Sequence, residues 1–130
     1  MTRLLFTIGD VTMPVDLDDS ETAKAVVNAL PLRSTAQTWG DEVYFTAELL
    51  LPEERPQANA PPGAVAYWVP GRAICLFFGQ TPASPVTIFG EMRGNPYDLH
   101  GVKPGDQILV TLAPEEEPPP IAPAGGDTGA

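Results

Sequence analysis

The sequence predicts a mainly β protein, a closed eight-stranded barrel with one main α-helix. Three observations predict this fold class: short apolar runs recur along the chain, turn residues separate them, and only one segment has helical periodicity. Sheets of many short strands avoid exposed edges by closing into a barrel. The 130 residues, 43% of them hydrophobic, suffice for one domain with a single core.

One segment has the signature of a helix. Asp18 and Glu21 stand three residues apart and form an acidic version of the capping box that begins many helices. Pro31 lacks the backbone donor that a further turn would need, so it ends the helix. We therefore predict a helix over residues 19–30 whose apolar face packs against the sheet. That face consists of residues at helical spacing: Ala23, Val26, Val27 and Leu30.

Eight apolar runs with turn residues between them are predicted to be strands. The first two flank Gly9-Asp10, a dipeptide typical of a hairpin turn. A stretch rich in proline and alanine, 52–63, is predicted to be a long loop. The predicted strands are 3–8, 11–17, 34–38, 42–47, 65–69, 72–78, 86–92 and 107–112.

Residues 1–113 are predicted to form the barrel domain, and residues 114–130 a disordered tail. The tail consists mainly of proline, glycine, alanine and acidic residues, and Ile121 is its one large apolar side chain. Burial of so little apolar surface cannot offset the entropy lost on ordering. The alternative for this tail is a polyproline II ligand for an aromatic groove.

The chain is strongly acidic. It has 17 acidic residues against 7 basic ones and a formal net charge of -10. Because this charge repels phosphate groups, we expect no binding to nucleic acid or to an anionic membrane surface. The single cysteine cannot form an internal disulfide, the start of the chain does not have the pattern of a signal peptide, and no apolar run is long enough to span a bilayer. We therefore expect a cytoplasmic protein.

Few residues have the chemistry of a metal or catalytic site. His100 and Cys75 are each the only residue of their type, so we expect no metal site and no cofactor. Cys75 lies in a strongly apolar run and is predicted to be buried and unreactive. His100 could serve as a base, although a surface-loop position is favoured. Asp41 and Glu42 could be glycosidase or calcium carboxylates, but their position at a turn favours solvated side chains.

Aromatic residues cluster in the middle third of the chain. They could fill the barrel or line a shallow pocket, and filling the barrel is favoured for any single ring. Because strand side chains alternate, neighbours such as Phe77 and Phe78 must face opposite sides of the sheet. The cluster consists of Trp39, Tyr44, Phe45, Tyr67, Trp68, Phe77 and Phe78.

Two stretches resemble a family of short prokaryotic cyclophilin-like proteins of uncharacterised activity. They are TWGDEVYF at 38–45 and AYWVPGRAICLFFGQTP at 66–82. The similarity extends from about residue 3 to residue 112, is weak across 52–63 and does not include the tail. This resemblance implies a closed eight-stranded barrel with a helical cap, the fold of the peptidyl-prolyl isomerases.

The resemblance does not carry the isomerase activity with it. In cyclophilins, the arginine of a Phe-His-Arg segment assists rotation about the X-Pro bond, and this segment is missing here, so no catalytic residue is carried over. The sequence therefore predicts a non-enzymatic binding module for an apolar or proline-containing peptide or small molecule. The alternative is a weak or divergent peptidyl-prolyl isomerase. The candidate ligand-binding residues are Tyr44, Phe45, Trp68, Arg72 and Phe78.

Overall fold

The computed structural model describes residues 2–79 and 84–114, which form one antiparallel sheet of nine strands, one α-helix and one short 3-10 helix. The prediction of a mainly β fold is confirmed. In chain order the elements are β1 (Arg3–Ile8), β2 (Val11–Leu17), α1 (Glu21–Asn28), β3 (Leu32–Thr35), β4 (Gln37–Trp39), β5 (Glu42–Thr46), β6 (Ala64–Trp68), β7 (Ala73–Phe77), β8 (Thr87–Met92), the 3-10 helix (Pro96–Gly101) and β9 (Gln107–Leu112).

The sheet curls into a nearly closed barrel. Its strands follow the order β3-β9-β1-β2-β8-β6-β7-β5-β4. The first strand of this order, β3, comes together with the last but one, β5, where the Ser34 hydroxyl donates a hydrogen bond to the Thr46 carbonyl at 3.1 Å. Eight strands thus make up the barrel wall, and β4 continues the sheet beyond β5.

The ninth strand arises at Ala36, where the predicted strand 34–38 divides in two. The Ala36 N–H donates to the Asp106 carbonyl, and the Ala36 carbonyl accepts from the Gly105 N–H, both at 2.8 Å. Before this point the chain pairs with β9, and after it the chain pairs with β5. The prediction of eight strands was therefore one short, because an apolar pattern does not specify which neighbour a strand pairs with.

The barrel interior holds the main hydrophobic core. Phe6 and Phe45 meet edge to face inside it, with ring centroids 6.2 Å apart. The Tyr67 ring is buried there as well, and its hydroxyl donates to the Leu49 carbonyl. Helix α1 packs against this core with Ala23 and Val26, as the apolar spacing predicted.

The helix begins differently from the prediction. Ser20, not Asp18, is the N-cap, and its hydroxyl accepts from the Ala23 N–H at 3.1 Å. Glu21 does not reach back to the cap. Instead the carboxylate of Glu54 accepts the N–H groups of Glu21 and Thr22 at 3.2 and 2.9 Å. The sequence pattern failed here because a residue far along the chain occupies the helix terminus.

The stretch 52–63 is a loop between β5 and β6, as predicted, and two of the contacts that tie it to the rest of the fold lie in its first half. One is the contact of Glu54 with α1. The other is a bridge between Gln57 and Val86, whose backbone groups exchange hydrogen bonds of 2.8 and 3.0 Å.

Of the predicted tail, residues 115–130 lie outside the described residues. In the part of the chain that is described, no helix has the length and apolar character needed to cross a membrane.

Candidate functional site

Strands β6 and β7 are apolar on both faces of the sheet, and Tyr44 of β5 packs against their outer face. One set of side chains points into the barrel, and the alternate set points outward, where it forms a second hydrophobic cluster. Burial on both faces explains the continuous apolar run of β7. The outer cluster consists of Ala60, Ala64, Ala66, Cys75, Phe77 and Val86, with Tyr44, Trp68 and Ile88 packed against it.

A pocket of about 270 Å³ opens on this outer face, and we call it the outer pocket. An engineered cavity of about 150 Å³ in another protein binds benzene, so the outer pocket has room for a ring with a short substituent. Four strands, β4 to β7, supply most of its walls. The lining residues are Trp39, Glu42, Tyr44, Trp68, Cys75, Phe77, Ser84 and Val86.

The Trp68 ring is held in one orientation on the wall of the outer pocket. Its Nε1–H donates to the Ser84 hydroxyl at 2.6 Å. The ring lies against Gly71, at a position where a side chain on residue 71 would collide with it. The turn after β6 therefore needs glycine at position 71, because any larger residue would displace the Trp68 ring. Trp39, with 51% of its surface exposed, forms the rim.

Glu42 places a carboxyl group inside the outer pocket. It is 8% exposed, and burial raises the pKa of this carboxyl group, while a hydrogen bond from the Cys75 thiol acts in the opposite direction. No ion pair of Glu42 is present among the described residues. The expectation of a solvated Glu42 is wrong, because β5 begins at this residue and turns its side chain toward the outer cluster.

Cys75 is buried, as predicted, with 2% of its surface exposed. Burial and the neighbouring negative charge of Glu42 both raise the pKa of the thiol. The thiol is therefore held in its protonated form, which is a weak donor and a poor nucleophile. That Cys75 is unreactive toward thiol reagents stays a prediction.

The five candidate ligand-binding residues do not lie together. Tyr44 and Trp68 line the outer pocket. Phe45 and Phe78 are buried in the barrel core, on the opposite face of the sheet. Arg72 is exposed in the turn before β7, with φ of 50°, and is not among the pocket residues.

The alternation of strand side chains accounts for this division and could have found the missing residues. Tyr44 and Phe45 are adjacent, so only one of them can face the outer pocket. Glu42 lies two residues before Tyr44 on the same strand, so both face the same side of the sheet. Cys75 is paired with Tyr44 on β7 and faces that side as well. Sequence reasoning missed Glu42 because its position beside a turn was given more weight than its place on the strand face.

His100 is exposed, as predicted, but it lies in the 3-10 helix and not in a loop. Its ring stacks on Tyr97 with centroids 5.8 Å apart and meets the Phe78 ring edge to face at 4.6 Å. Across residues 2–79 and 84–114, no group of three or more His, Cys, Asp or Glu residues is arranged to hold a metal ion.

The described residues form one barrel with an apolar pocket on the outer face of its sheet. The chain belongs to the Cyclophilin-like family, whose model matches residues 2–111, and this confirms the resemblance seen in the sequence. It is similar to the hypothetical protein AF2241 from Archaeoglobus fulgidus, with 36% identity, 86% of this chain and 95% of that chain covered, and a TM-score of 0.74.

A second solved structure shares the fold. It is that of McbB in complex with tryptophan, with 15% identity and a TM-score of 0.70. The match covers 88% of this chain but 46% of McbB, so it extends over about half of that protein. At this identity the likeness shows the fold alone. A search of curated proteins finds no match.

Proposed function

We propose that this protein is a non-enzymatic binding module that holds a small apolar molecule, or the proline ring of a peptide, in the outer pocket. The observation that carries the proposal is an open apolar pocket with three exposed or half-buried aromatic rings: Trp39, Tyr44 and Trp68. Apolar concave sites with a few polar groups are the usual form of small-molecule sites.

The position of the rings supports binding by a preformed site. Tyr44 and Trp68 project from strands held by backbone ladders on both sides, so little conformational entropy is lost when a ligand enters. The binding free energy per non-hydrogen atom has a ceiling that falls from roughly 1.5 kcal/mol for the smallest ligands to roughly 0.3 kcal/mol for drug-sized ones. For a ligand the size of a substituted ring, dissociation constants in the micromolar to millimolar range are expected.

The alternative, a weak or divergent peptidyl-prolyl isomerase, needs a positioned donor as well as an apolar cradle. Arg72 lies outside the outer pocket, and no arginine or lysine is among its described lining residues. This favours binding over catalysis.

Intrinsic fluorescence tests the proposal, because the only two tryptophans of the chain, Trp39 and Trp68, both line the outer pocket. Short proline-containing peptides and small aromatic molecules are titrated into the full chain at concentrations up to the millimolar range. We expect saturable changes in tryptophan emission. Tyr44→Ala should weaken binding by about fivefold or more, which corresponds to roughly 1 kcal/mol of lost contact.

Tyr97→Ala is the matched control, because Tyr97 is an exposed tyrosine that does not line the outer pocket. It should leave the affinity unchanged. The proposal is contradicted if no peptide or aromatic molecule alters the tryptophan emission. It is also contradicted if Tyr97→Ala weakens binding as much as Tyr44→Ala does. A prolyl-peptide isomerisation assay separates the alternative: strong catalysis by the wild type that Arg72→Ala abolishes would make the protein an isomerase.

A further inference from the structure

Glu42 is the one charged side chain among the described residues that line the outer pocket. A carboxylate in such a place costs free energy unless a positive charge compensates it. Its described neighbours in the outer pocket supply no cation, and the hydrogen bond from the Cys75 thiol is a weak one. A cationic ligand would therefore provide the positive charge that none of the described lining residues supplies.

The aromatic walls of the outer pocket favour the same kind of ligand. Trp39, Tyr44, Trp68 and Phe77 line it together with Glu42. The faces of aromatic rings attract cations, tryptophan most strongly, and sites of several rings are used to recognise quaternary and methylated ammonium groups. The formal charge of -10 on the chain adds a long-range attraction for cations.

The hydrogen-bonding capacity of the outer pocket distinguishes among ammonium groups. A primary ammonium carries three donors that each need an acceptor. Besides the Glu42 carboxylate, the described lining side chains that accept strong hydrogen bonds are the hydroxyls of Tyr44 and Ser84, and Ser84 already accepts from Trp68. A methylated ammonium has fewer donors and presents apolar methyl groups, which match the aromatic walls.

We propose that the ligand of the outer pocket is a small organic cation, a methylated ammonium group on a short apolar body, whose charge lies beside the Glu42 carboxylate. This inference rests on the proposed function, because it names the class of ligand for the same site.

The experiment compares two probes of the same shape and different charge, phenyltrimethylammonium and tert-butylbenzene. Both are titrated into the full chain at pH 7, and binding is followed by tryptophan emission and by NMR of the probe. We expect the cation to bind at least about tenfold more tightly than its neutral counterpart. Equal or tighter binding of tert-butylbenzene would overturn the cation inference and leave the proposed function standing. If neither probe binds and no molecule of the earlier ligand panel alters the tryptophan emission, the cation inference and the proposed function are both overturned.

Two variants test the role of Glu42. Glu42→Gln keeps the size of the side chain and removes the charge, so the preference for the cation should fall to within about threefold. Asp41→Asn is the matched control, because Asp41 is adjacent in sequence but does not line the outer pocket. It should keep the preference. A preference that survives Glu42→Gln, or that Asp41→Asn abolishes equally, contradicts the inference.

If Glu42→Gln does not fold, the affinity of the wild type for the cation, measured as a function of pH, tests the role of Glu42 instead. Phenyltrimethylammonium has a permanent charge, so a change in its affinity between about pH 4 and 7 must come from the protein. Among residues 2–79 and 84–114, the other titratable groups near Glu42 are the Cys75 thiol on β7, the Tyr44 phenol on β5 and Asp41, whereas Trp39 on β4 does not titrate. Thiols and phenols ordinarily ionise above about pH 8.

We expect the affinity for the cation to fall as the pH decreases and Glu42 takes up a proton, while the affinity for tert-butylbenzene stays constant. The fall should persist in Asp41→Asn. An affinity for the cation that does not change with pH, or a fall that is lost in Asp41→Asn, would overturn the inference.

Discussion

The Glu42 carboxyl group accepts a hydrogen bond from the Cys75 thiol across the β5–β7 pair, on the outer face of the barrel. The two residues are diagonal neighbours, because Glu42 is paired with Phe77 and Cys75 is paired with Tyr44. Burial raises the pKa of both groups, and the charge of Glu42 raises that of the thiol further. The charge of Glu42 therefore favours the neutral thiol, whereas the hydrogen bond from the thiol favours the ionised carboxylate and only partly offsets the effect of burial on it.

The first prediction concerns the pH dependence of stability. Because the pKa of Glu42 is higher in the folded protein than its ordinary value of 4.5, the folded state binds more protons than the unfolded state in the window above pH 4.5. Its contribution to stability is complete below that value and is lost as the pH rises through the folded pKa. Glu42→Gln removes this loss.

We therefore expect the free energy of unfolding of Glu42→Gln, minus that of the wild type, to increase with pH and then level off. Urea denaturation at a series of pH values measures this difference. Asp41→Asn serves as the control for a neighbouring acid. A difference that stays constant with pH would show that burial does not perturb Glu42.

The second prediction is that Cys75 reacts slowly with thiol reagents in the native protein. Only the thiolate reacts, and the buried thiol is both protonated and covered. Labelling should be at least about 100-fold slower in buffer than in denaturant, because the barrel must open first. Glu42→Gln should label somewhat faster, since it removes the negative charge. Rapid labelling of the folded wild type would point to an accessible, activated thiol.

The third prediction is that Gly71→Ala impairs the outer pocket without unfolding the barrel. The added methyl group meets the Trp68 ring and must displace it, which breaks the hydrogen bond to Ser84. The loss of that bond costs about 1 kcal/mol, and ligand binding should weaken by at least about fivefold. Tryptophan emission and thermal unfolding report the two effects separately.

Gly101→Ala is the control for the glycine substitution, because a side chain there meets nothing within 4 Å. It should alter neither emission nor binding. If Gly71→Ala binds ligand like the wild type, the orientation of Trp68 is not needed for the site.

The fourth prediction is that Ser20→Ala destabilises the protein by about 1 kcal/mol, because the Ala23 N–H loses its acceptor at the start of α1. For a domain of this size, Tm should fall by about 4 °C. Ser20→Thr keeps a capping hydroxyl without adding a charge and should retain most of the stability. Asp18→Ala should have a smaller effect than Ser20→Ala, and the reverse order would restore Asp18 as the cap.

The amino-acid sequence by itself determined most of the strands, the hairpin at Gly9-Asp10 and the apolar face of α1. These features depend on neighbours along the chain: alternation selects a strand, a spacing of three and four selects a helical face, and glycine permits a tight turn. The resemblance carried by 38–45 and 66–82 also identified the family, since those stretches contain most of β5, β6 and β7.

Only the tertiary structure decided which face of each strand lines the outer pocket. Alternation requires Tyr44 and Phe45 to face opposite ways, but it does not say which of them faces the barrel axis. Closure of the sheet from β3 to β5 put Phe45 and Phe78 inside and left Tyr44, Trp68 and Glu42 outside. The physical reason is that a strand buried on both faces has apolar residues on both, so its sequence does not show which face is the core. Only the pairing of strands that are distant in sequence separates the core face from the pocket face.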